Sequence, residues 1–204
     1  MAKRIVAGFD PPSIRNLGFS IFSVNDKEKK IEVKKAGLIV LNKSYEEELY
    51  DYDFAVKTAY LEDFLEIFYN KNSISEIVVE QQVLGTRGNK FSSPFLIAQT
   101  NSMSVTLQRV AFKNNIGRFL IHNKTLKKII TQNANSKKDE VMDKVLEVTG
   151  LSVNLEKEGM TAKQYISKYE HMYDAIALVL GRYMGLDYKV MSYKKEFSPT
   201  NIEI

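Results

Sequence analysis

The sequence predicts an α/β protein in which helices flank a mixed β-sheet. Three apolar segments rich in β-forming residues come first, and the short breaks between them indicate a three-stranded antiparallel meander. Two short strands then alternate with helical segments, an order that adds them as parallel strands and gives a five-stranded sheet. The 204 residues suit one domain, placed at 1–188, with a C-terminal tail at 189–204 that shows no pattern.

The meander strands are predicted at 4–9, 17–24 and 30–41. Pro11 and Pro12 end the first strand after Asp10, because proline cannot continue a ladder of backbone hydrogen bonds. Asn25 opens a turn between the second and third strands. The two later strands are predicted at 76–80 and 117–122.

Helices are predicted at 45–70, 93–113, 123–131, 136–150 and 161–185. Ser93 is placed as the cap of the second helix, with Pro94 in its first turn, and Ser136 as the cap of the fourth. Gly150 is expected in the left-handed conformation that ends many helices. The polar segment 81–92, with two glycines, is predicted to be a loop.

Composition excludes several kinds of site. Cysteine is absent, which excludes disulfides, thiolate zinc sites and a cysteine nucleophile. His122 and His171 are the two histidines, so a metal would rest mainly on carboxylates. A net charge of +4 and a sequence pI near 9.0 permit an anionic partner. No apolar run reaches ~18 residues, and the N-terminus does not resemble a secretory signal. We therefore expect a cytoplasmic protein without a membrane partner, in a bacterial or an infected-host cell.

Three acids stand where an unpaired charge is unexpected. Asp10 ends the first strand, Glu80 ends the fourth, and Asp174 lies inside the apolar segment HMYDAIALVLG. If the first and fourth strands are neighbours, Asp10 and Glu80 leave the sheet at one edge, where a helical acid could join them. Clustered carboxylates repel unless a cation offsets them, and Mg²⁺ prefers such ligands. Taken alone, Asp10 is more often a turn former or a cap, and Glu80 could equally be one. Asp174 alone could equally face solvent or pair with Lys168.

A histidine accompanies the third acid. His171 precedes Asp174 by three residues, so both lie on one face of the predicted helix. A helical histidine more often packs or faces solvent, but beside a carboxylate it is a credible metal ligand or general base. Glu170 lies on nearly the same face and is the reserve acid, whereas His122, at a strand end, is predicted to be structural.

Lysines and arginines that could contact phosphates fall near these acids. Lys137 and Lys138 lie at the start of a predicted helix, where free N–H groups and the helix dipole favour a phosphate, although a solvated surface explains them equally well. Other basic residues lie on the preceding helix and in the 81–92 loop. The candidate set is Lys137, Lys138, Lys124, Lys127, Lys128, Arg87 and Lys90.

Four segments occur in a characteristic order, namely IVAGFDPPSIRNLGFSIF, IVVEQQ, SKKDEVMDKVL and HMYDAIALVLG. The first resembles the opening strand-Asp-turn-strand hairpin of RuvC-type Holliday junction resolvases, and the second resembles their strand ending in Glu-Gln. The third is similar to the lysine-bearing helix start of that family and its poxviral and phage branch. The fourth is similar to the closing motif, where an acid or His precedes Asp by three residues.

This resemblance implies an RNase H-like fold and a metal-dependent endonuclease that resolves four-way or other branched DNA by paired nicks. Asp10, Glu80, His171 and Asp174 would be catalytic and metal ligands for two ions, Mg²⁺ or Mn²⁺. One ion would activate water and the other would stabilise the leaving 3′ oxygen, giving 5′-phosphate and 3′-hydroxyl ends.

The resemblance has three further implications. Symmetric cleavage implies a homodimer, and the family branch implies a phage or viral origin. The 81–92 loop would approach the junction centre, where Leu84 or Phe91 could wedge against bases. His171 stands where many relatives carry Asp, which could shift metal preference toward Mn²⁺.

Other functions remain open. An RNase H-like nuclease acting on RNA or on other DNA structures would use the same acids, and its substrate preference would distinguish it. A non-catalytic DNA-binding module on the same fold would tolerate loss of the acids. An actin-like ATPase or sugar kinase would need a second phosphate-binding hairpin and a longer chain, so it ranks low.

Overall fold

The structure, a computed structural model, describes residues 3–11, 16–40, 54–81, 94–152, 155, 159–193 and 196–204. The strands of this part of the chain are β1 (Arg4–Asp10), β2 (Asn16–Asn25), β3 (Lys30–Val40), β4 (Ile74–Glu80), β5 (Gly117–Ile121), β6 (Lys189–Met191) and β7 (Thr200–Glu203). The helices are α1 (Phe54–Lys71), α2 (Pro94–Lys113), α3 (Asn123–Thr131), α4 (Lys138–Thr149) and α5 (Ala162–Met184). Residues 45–53 of the first predicted helix and the Ser93 cap lie outside the described residues.

The strands form one mixed sheet in the order β5-β4-β1-β2-β3-β6, with β7 also paired to β3. β1, β2 and β3 make the predicted antiparallel meander, and β4 and β5 add parallel to β1 as predicted. The predicted number of five strands is wrong, because the described residues contain seven. The sequence after residue 188 supplies the additional two, although the division at 188–189 into domain and tail stays a prediction.

The two added strands depend on the free edge of β3. β6 and β7 are three and four residues long, too short to show an apolar alternation in the sequence. Both pair parallel with β3. Gly37 of β3 permits the pairing with β7, since a Cβ there would lie 1.7 Å from the carbonyl oxygen of Thr200.

Helices cover both faces of the sheet. Because successive strand side chains point to opposite faces, Val6 and Val78 belong to one core cluster, while Ala7 and Phe9 belong to the other. Residues of α3, α4 and α5 pack into the first cluster, and residues of α1 and α2 pack into the second. Among the described helices, none combines the length and apolar character needed to cross a bilayer.

The long helix α5 lies directly on the backbone of β1 and β2. A Cβ at Gly8 would come within 2.1 Å of the Ala175 carbonyl oxygen, and one at Gly18 within 2.0 Å of the His171 carbonyl oxygen. Ser20 donates a hydrogen bond of 2.8 Å to the Ala175 carbonyl. Small residues on the sheet therefore set the height and position of α5 above the end of β1.

The helix caps differ in one place from the prediction. Lys137, not Ser136, is the N-cap residue of α4, and its backbone N–H donates to the Glu140 carboxylate at 3.1 Å. Ser136 is buried instead, with its hydroxyl 2.6 Å from that of Thr131. Gly150 ends α4 with a φ of 65°, as predicted.

Candidate metal centre and nucleic-acid interface

Asp10 and Glu80 lie at the carboxyl ends of two neighbouring strands. β1 and β4 are parallel and adjacent, with Phe9 paired to Val79, so the chain delivers both acids to the same edge of the sheet. This is the arrangement that the strand order predicted. Both acids line one cavity of about 310 Å³ at that edge.

The helix α5 brings two more side chains to Asp10. Ligand atoms of Asp10, His171 and Asp174 all lie within 4.8 Å of one another. The His171 Nδ1 atom is 2.9 Å from the Asp10 Oδ2 atom, a hydrogen bond between groups 161 residues apart in sequence. Both side chains reach Asp10 for two reasons. His171 and Asp174 are three residues apart on α5, and the backbone of that helix lies directly against Gly18.

The carboxyl of Asp174 has an altered acidity. Burial, followed by the charge of Asp10, raises the pKa of Asp174 to about 6, although Lys138 and His171 act in the opposite direction. Both causes, burial and the neighbouring like charge, are offset when positive charge is placed beside the carboxyl. A divalent cation between Asp10 and Asp174 would supply that charge and favour the ionised form.

Lys138 provides part of the positive charge at the site. Its Nζ atom lies 2.8 Å from the Asp174 Oδ2 atom and also forms an ion pair with Glu170. Burial acts to lower the pKa of the Lys138 ammonium, but the two carboxylates outweigh it and raise that pKa. The hydrogen bond from Lys138 lowers the pKa of Glu170. Glu170 therefore contacts Lys138, and its reserve role as a ligand stays a prediction.

Glu80 lines the cavity without joining the closest ligand group. Among the residues that the structure describes, it is not part of the group of three whose ligand atoms lie within 4.8 Å. Asn123, the first residue of α3, donates a hydrogen bond of 2.9 Å from Nδ2 to the Glu80 Oε1 atom. Asn123 also lines the cavity, although it is not among the residues predicted from the sequence. The signal available was an amide directly after His122, at the end of an apolar strand.

Some of the predicted basic residues surround this cavity. Lys127 and Lys138 line it, and the Lys127 ammonium donates to the Ser136 carbonyl at 2.7 Å. Lys124, Lys128 and Lys137 are exposed on α3 and at the start of α4. Arg87 and Lys90, like Leu84 and Phe91, lie outside the described residues.

His122 has a local structural role, in agreement with its prediction. It is the N-cap residue of α3, and its Nδ1 atom accepts a hydrogen bond from the backbone N–H of Lys124 at 3.2 Å. β5 ends at Ile121, one residue earlier than predicted, because His122 begins the turn into α3.

The donor set fits a hard divalent cation. Two carboxylates and one imidazole converge, and a third carboxylate lines the same cavity. Oxygen ligands suit Mg²⁺ and Mn²⁺, and an imidazole nitrogen is better tolerated by Mn²⁺. Asp10, Asp174 and His171 are therefore the side chains that would hold such an ion.

Comparison with solved structures places the fold among DNA-junction resolvases. Thermus thermophilus RuvC matches with a TM-score of 0.63 and 16% identity, covering 90% of this chain and 95% of that chain. The yeast mitochondrial Holliday junction resolvase matches with a TM-score of 0.53 and 15% identity, over 88% and 78% of the two chains. The fowlpox virus Holliday junction resolvase gives 0.50 and 11%, over 89% and 99%.

These likenesses confirm the predicted fold class, an RNase H-like α/β fold of the type found in RuvC. No protein-family model matches the chain, and no curated protein matches it significantly. At identities of 11–16%, the similarity to these solved structures shows the fold alone, and the activity has to be inferred from the site.

Proposed function

We propose that the chain is a divalent-cation-dependent endonuclease that cuts four-way or other branched DNA by paired nicks, leaving 5′-phosphate and 3′-hydroxyl ends. The observation that carries this proposal is the convergence of Asp10, His171 and Asp174 at the end of β1. T. thermophilus RuvC, which has this fold, has also been solved in complex with Holliday junction substrate. The acids alone would suit many phosphodiesterases, and the similarity of the fold to that of the junction-bound RuvC supports branched DNA as the substrate.

The proposed roles follow from the positions of the side chains. Asp10, Asp174 and His171 hold Mg²⁺ or Mn²⁺, and Glu80 contributes a third carboxylate from the lining of the same cavity. The bound ions supply activation of water and neutralisation of charge on the leaving 3′ oxygen. Lys138 and Lys127 provide positive charge for the phosphate. The hydrogen bond between His171 and Asp10 fixes the orientation of both side chains.

The exposed lysines extend the proposed DNA surface beyond the cavity. Lys124 and Lys128 on α3 and Lys137 at the start of α4 lie on the same elements as Lys127 and Lys138. Their contacts with phosphates would add affinity without sequence preference, so that binding should weaken steeply with salt. Arg87 and Lys90 belong to this proposal from the sequence alone.

A homodimer is part of the proposal, because paired nicks in a symmetric junction need two sites related by a two-fold axis. The helices α1 and α2 cover the face of the sheet opposite to α3, α4 and α5, and they expose apolar side chains for the dimer interface. Tyr60 and Ile67 of α1 are 53% and 67% exposed, and Val105 and Phe112 of α2 are 58% and 66% exposed. Each pair is spaced by seven residues and so lies along one side of its helix.

Sedimentation velocity tests the dimer. Ile67→Glu and Phe112→Glu should each shift the chain from dimer to monomer, because a charge replaces an apolar contact. Leu186→Glu is the matched control, since Leu186 is also apolar and 41% exposed but lies beyond α5. An unaltered chain that stays monomeric at micromolar concentration would contradict this part of the proposal.

Substrate comparison tests the activity itself. The purified chain is incubated with a synthetic four-way junction, a linear duplex of the same sequence, a flap and an RNA–DNA hybrid, with Mg²⁺ or Mn²⁺. The proposal predicts cation-dependent paired nicks in the junction and slow cutting of the linear duplex. Faster cutting of RNA would favour the alternative of an RNA-directed nuclease, and binding without cutting would favour a non-catalytic DNA-binding module.

A further inference from the structure

We infer that Asn123 is a positioning residue that holds Glu80 in the place from which it reaches a divalent cation. This inference rests on the proposed metal site and adds a residue to it. Its starting observation is the hydrogen bond of 2.9 Å from the Asn123 Nδ2 atom to the Glu80 Oε1 atom. Both side chains line the cavity that also contains Asp10 and Asp174.

The backbone of Asn123 is fixed from both sides. Glu80 pairs with Ile121 in the register of β4 and β5, and the Gln81 N–H donates to the Ile121 carbonyl at 2.8 Å. After Ile121 the chain turns at His122, which caps α3. Asn123 is therefore held next to the end of β4 by the sheet and by the start of a helix.

α3 is itself anchored against α5. Leu126 is 6% exposed, and a Cβ at Gly181 of α5 would lie 2.4 Å from its Cδ1 atom, so the two helices touch closely. α5 is also the helix that delivers His171 and Asp174. The same helix thus positions His171 and Asp174 directly and Glu80 through α3 and Asn123.

An amide suits this role better than a charged group. A neutral N–H donor orients one carboxylate oxygen without contributing a positive charge that would compete with the cation. The Lys138 ammonium, in contrast, lies 2.8 Å from Asp174 and does compete. Because Glu80 is not in the group of three close ligands, its contribution depends on where its carboxylate is held.

Calorimetric titration of the full chain with Mn²⁺ in the absence of DNA tests the inference. Asn123→Ala should weaken Mn²⁺ binding by about 10-fold, the lower end of what losing such a supporting hydrogen bond costs a metal site. Thr125→Ala is the matched control, because Thr125 is an exposed residue of the same helix, and it should leave affinity unchanged. Thermal melts confirm that each variant is folded.

A double-mutant cycle separates positioning from general structural damage. If Asn123 acts through Glu80, Asn123→Ala should have no further effect on Mn²⁺ affinity in a Glu80→Ala background. Equal losses in both backgrounds, or unchanged affinity in Asn123→Ala, would overturn the inference while leaving the proposed nuclease intact. Failure of the unaltered chain to bind Mn²⁺ would overturn both.

Discussion

Gly18 is the position at which a single methyl group should most damage both the fold and the site. A Cβ there would lie 2.0 Å from the His171 carbonyl oxygen and 2.3 Å from its carbon, both backbone atoms that cannot rotate away. An ordinary contact for Cβ begins at 3.4 Å, so α5 must move by about 1.4 Å to accept Gly18→Ala. The residue that has to move is the one that carries the imidazole ligand.

The expected cost follows from this displacement. Overpacking of a tight contact costs about 1–3 kcal/mol, and replacing glycine recovers at most about 1 kcal/mol by restricting the unfolded chain. Because the clash is with backbone atoms, we take the upper end of this range, and the net cost is then about 2–3 kcal/mol. With a urea dependence of about 2 kcal/mol per molar, the unfolding midpoint should fall by roughly 1–1.5 M. Since an error of about 1 Å in a reacting group costs about 100-fold, cleavage should fall by a comparable factor.

Urea titration and junction cleavage, measured on the same preparations, check this prediction. Gly117→Ala is the control, because its Cβ would meet a nearest atom at 3.3 Å, which a small shift accommodates. The control should change the unfolding midpoint little and leave cleavage intact. If Gly18→Ala unfolded at the same urea concentration as the unaltered chain and cut at the same rate, the seat of α5 would not position the site as described.

Three further predictions concern the charges of the site. The pKa of Asp174 is about 6 in the folded chain against an ordinary 3.8, so its ionisation disfavours folding as pH rises through this range. Asp174→Asn should therefore stabilise the cation-free chain by up to about 3 kcal/mol above pH 6, with no gain below about pH 4. Urea titrations that show a pH-independent gain would contradict this. Lys138→Met should bind Mn²⁺ several-fold more tightly, by about 1 kcal/mol, because an ammonium group that competes with the cation for Asp174 is removed. The same variant should cut DNA more slowly. Unchanged Mn²⁺ affinity in calorimetry would show that Lys138 does not compete with the cation. His171→Asp should raise the ratio of cleavage rates in Mg²⁺ and Mn²⁺, since it replaces a nitrogen ligand by oxygen; an unchanged ratio would argue against a metal contact by His171.

The sequence was sufficient to place Asp10 and Glu80 at one edge of the sheet and to pair His171 with Asp174. Asp10 and Glu80 could be placed at one edge because each ends an apolar strand, and parallel strands in one sheet end on the same side. His171 and Asp174 could be paired because a helix brings residues three apart onto one face. The pairing of His171 with Asp174 is a local periodicity of α5, which the buried face of that helix enforces. The placement of Asp10 and Glu80 also required the adjacency of β1 and β4.

Features that depend on contacts distant in sequence were not predictable in the same way. The hydrogen bond from Asn123 to Glu80 joins residues 43 apart and depends on the register of β4 with β5. β6 and β7 are too short to show a strand pattern and form because β3 offers a free edge. Serine is a residue type that often caps helices, but the Ser136 hydroxyl is hydrogen-bonded to that of Thr131, so the N-cap position falls one residue later.

The central claim is that the carboxylate cluster, and not merely the fold, cuts DNA. Asp10→Asn tests it most directly, because it keeps the size of the side chain and removes the charge that meets His171 and Asp174. Cleavage and binding of one four-way junction are measured together in Mg²⁺ and in Mn²⁺, with circular dichroism to confirm folding. We predict that cleavage falls by about 100-fold or more while junction binding persists; a folded Asp10→Asn chain that cuts as fast as the unaltered one would contradict the account.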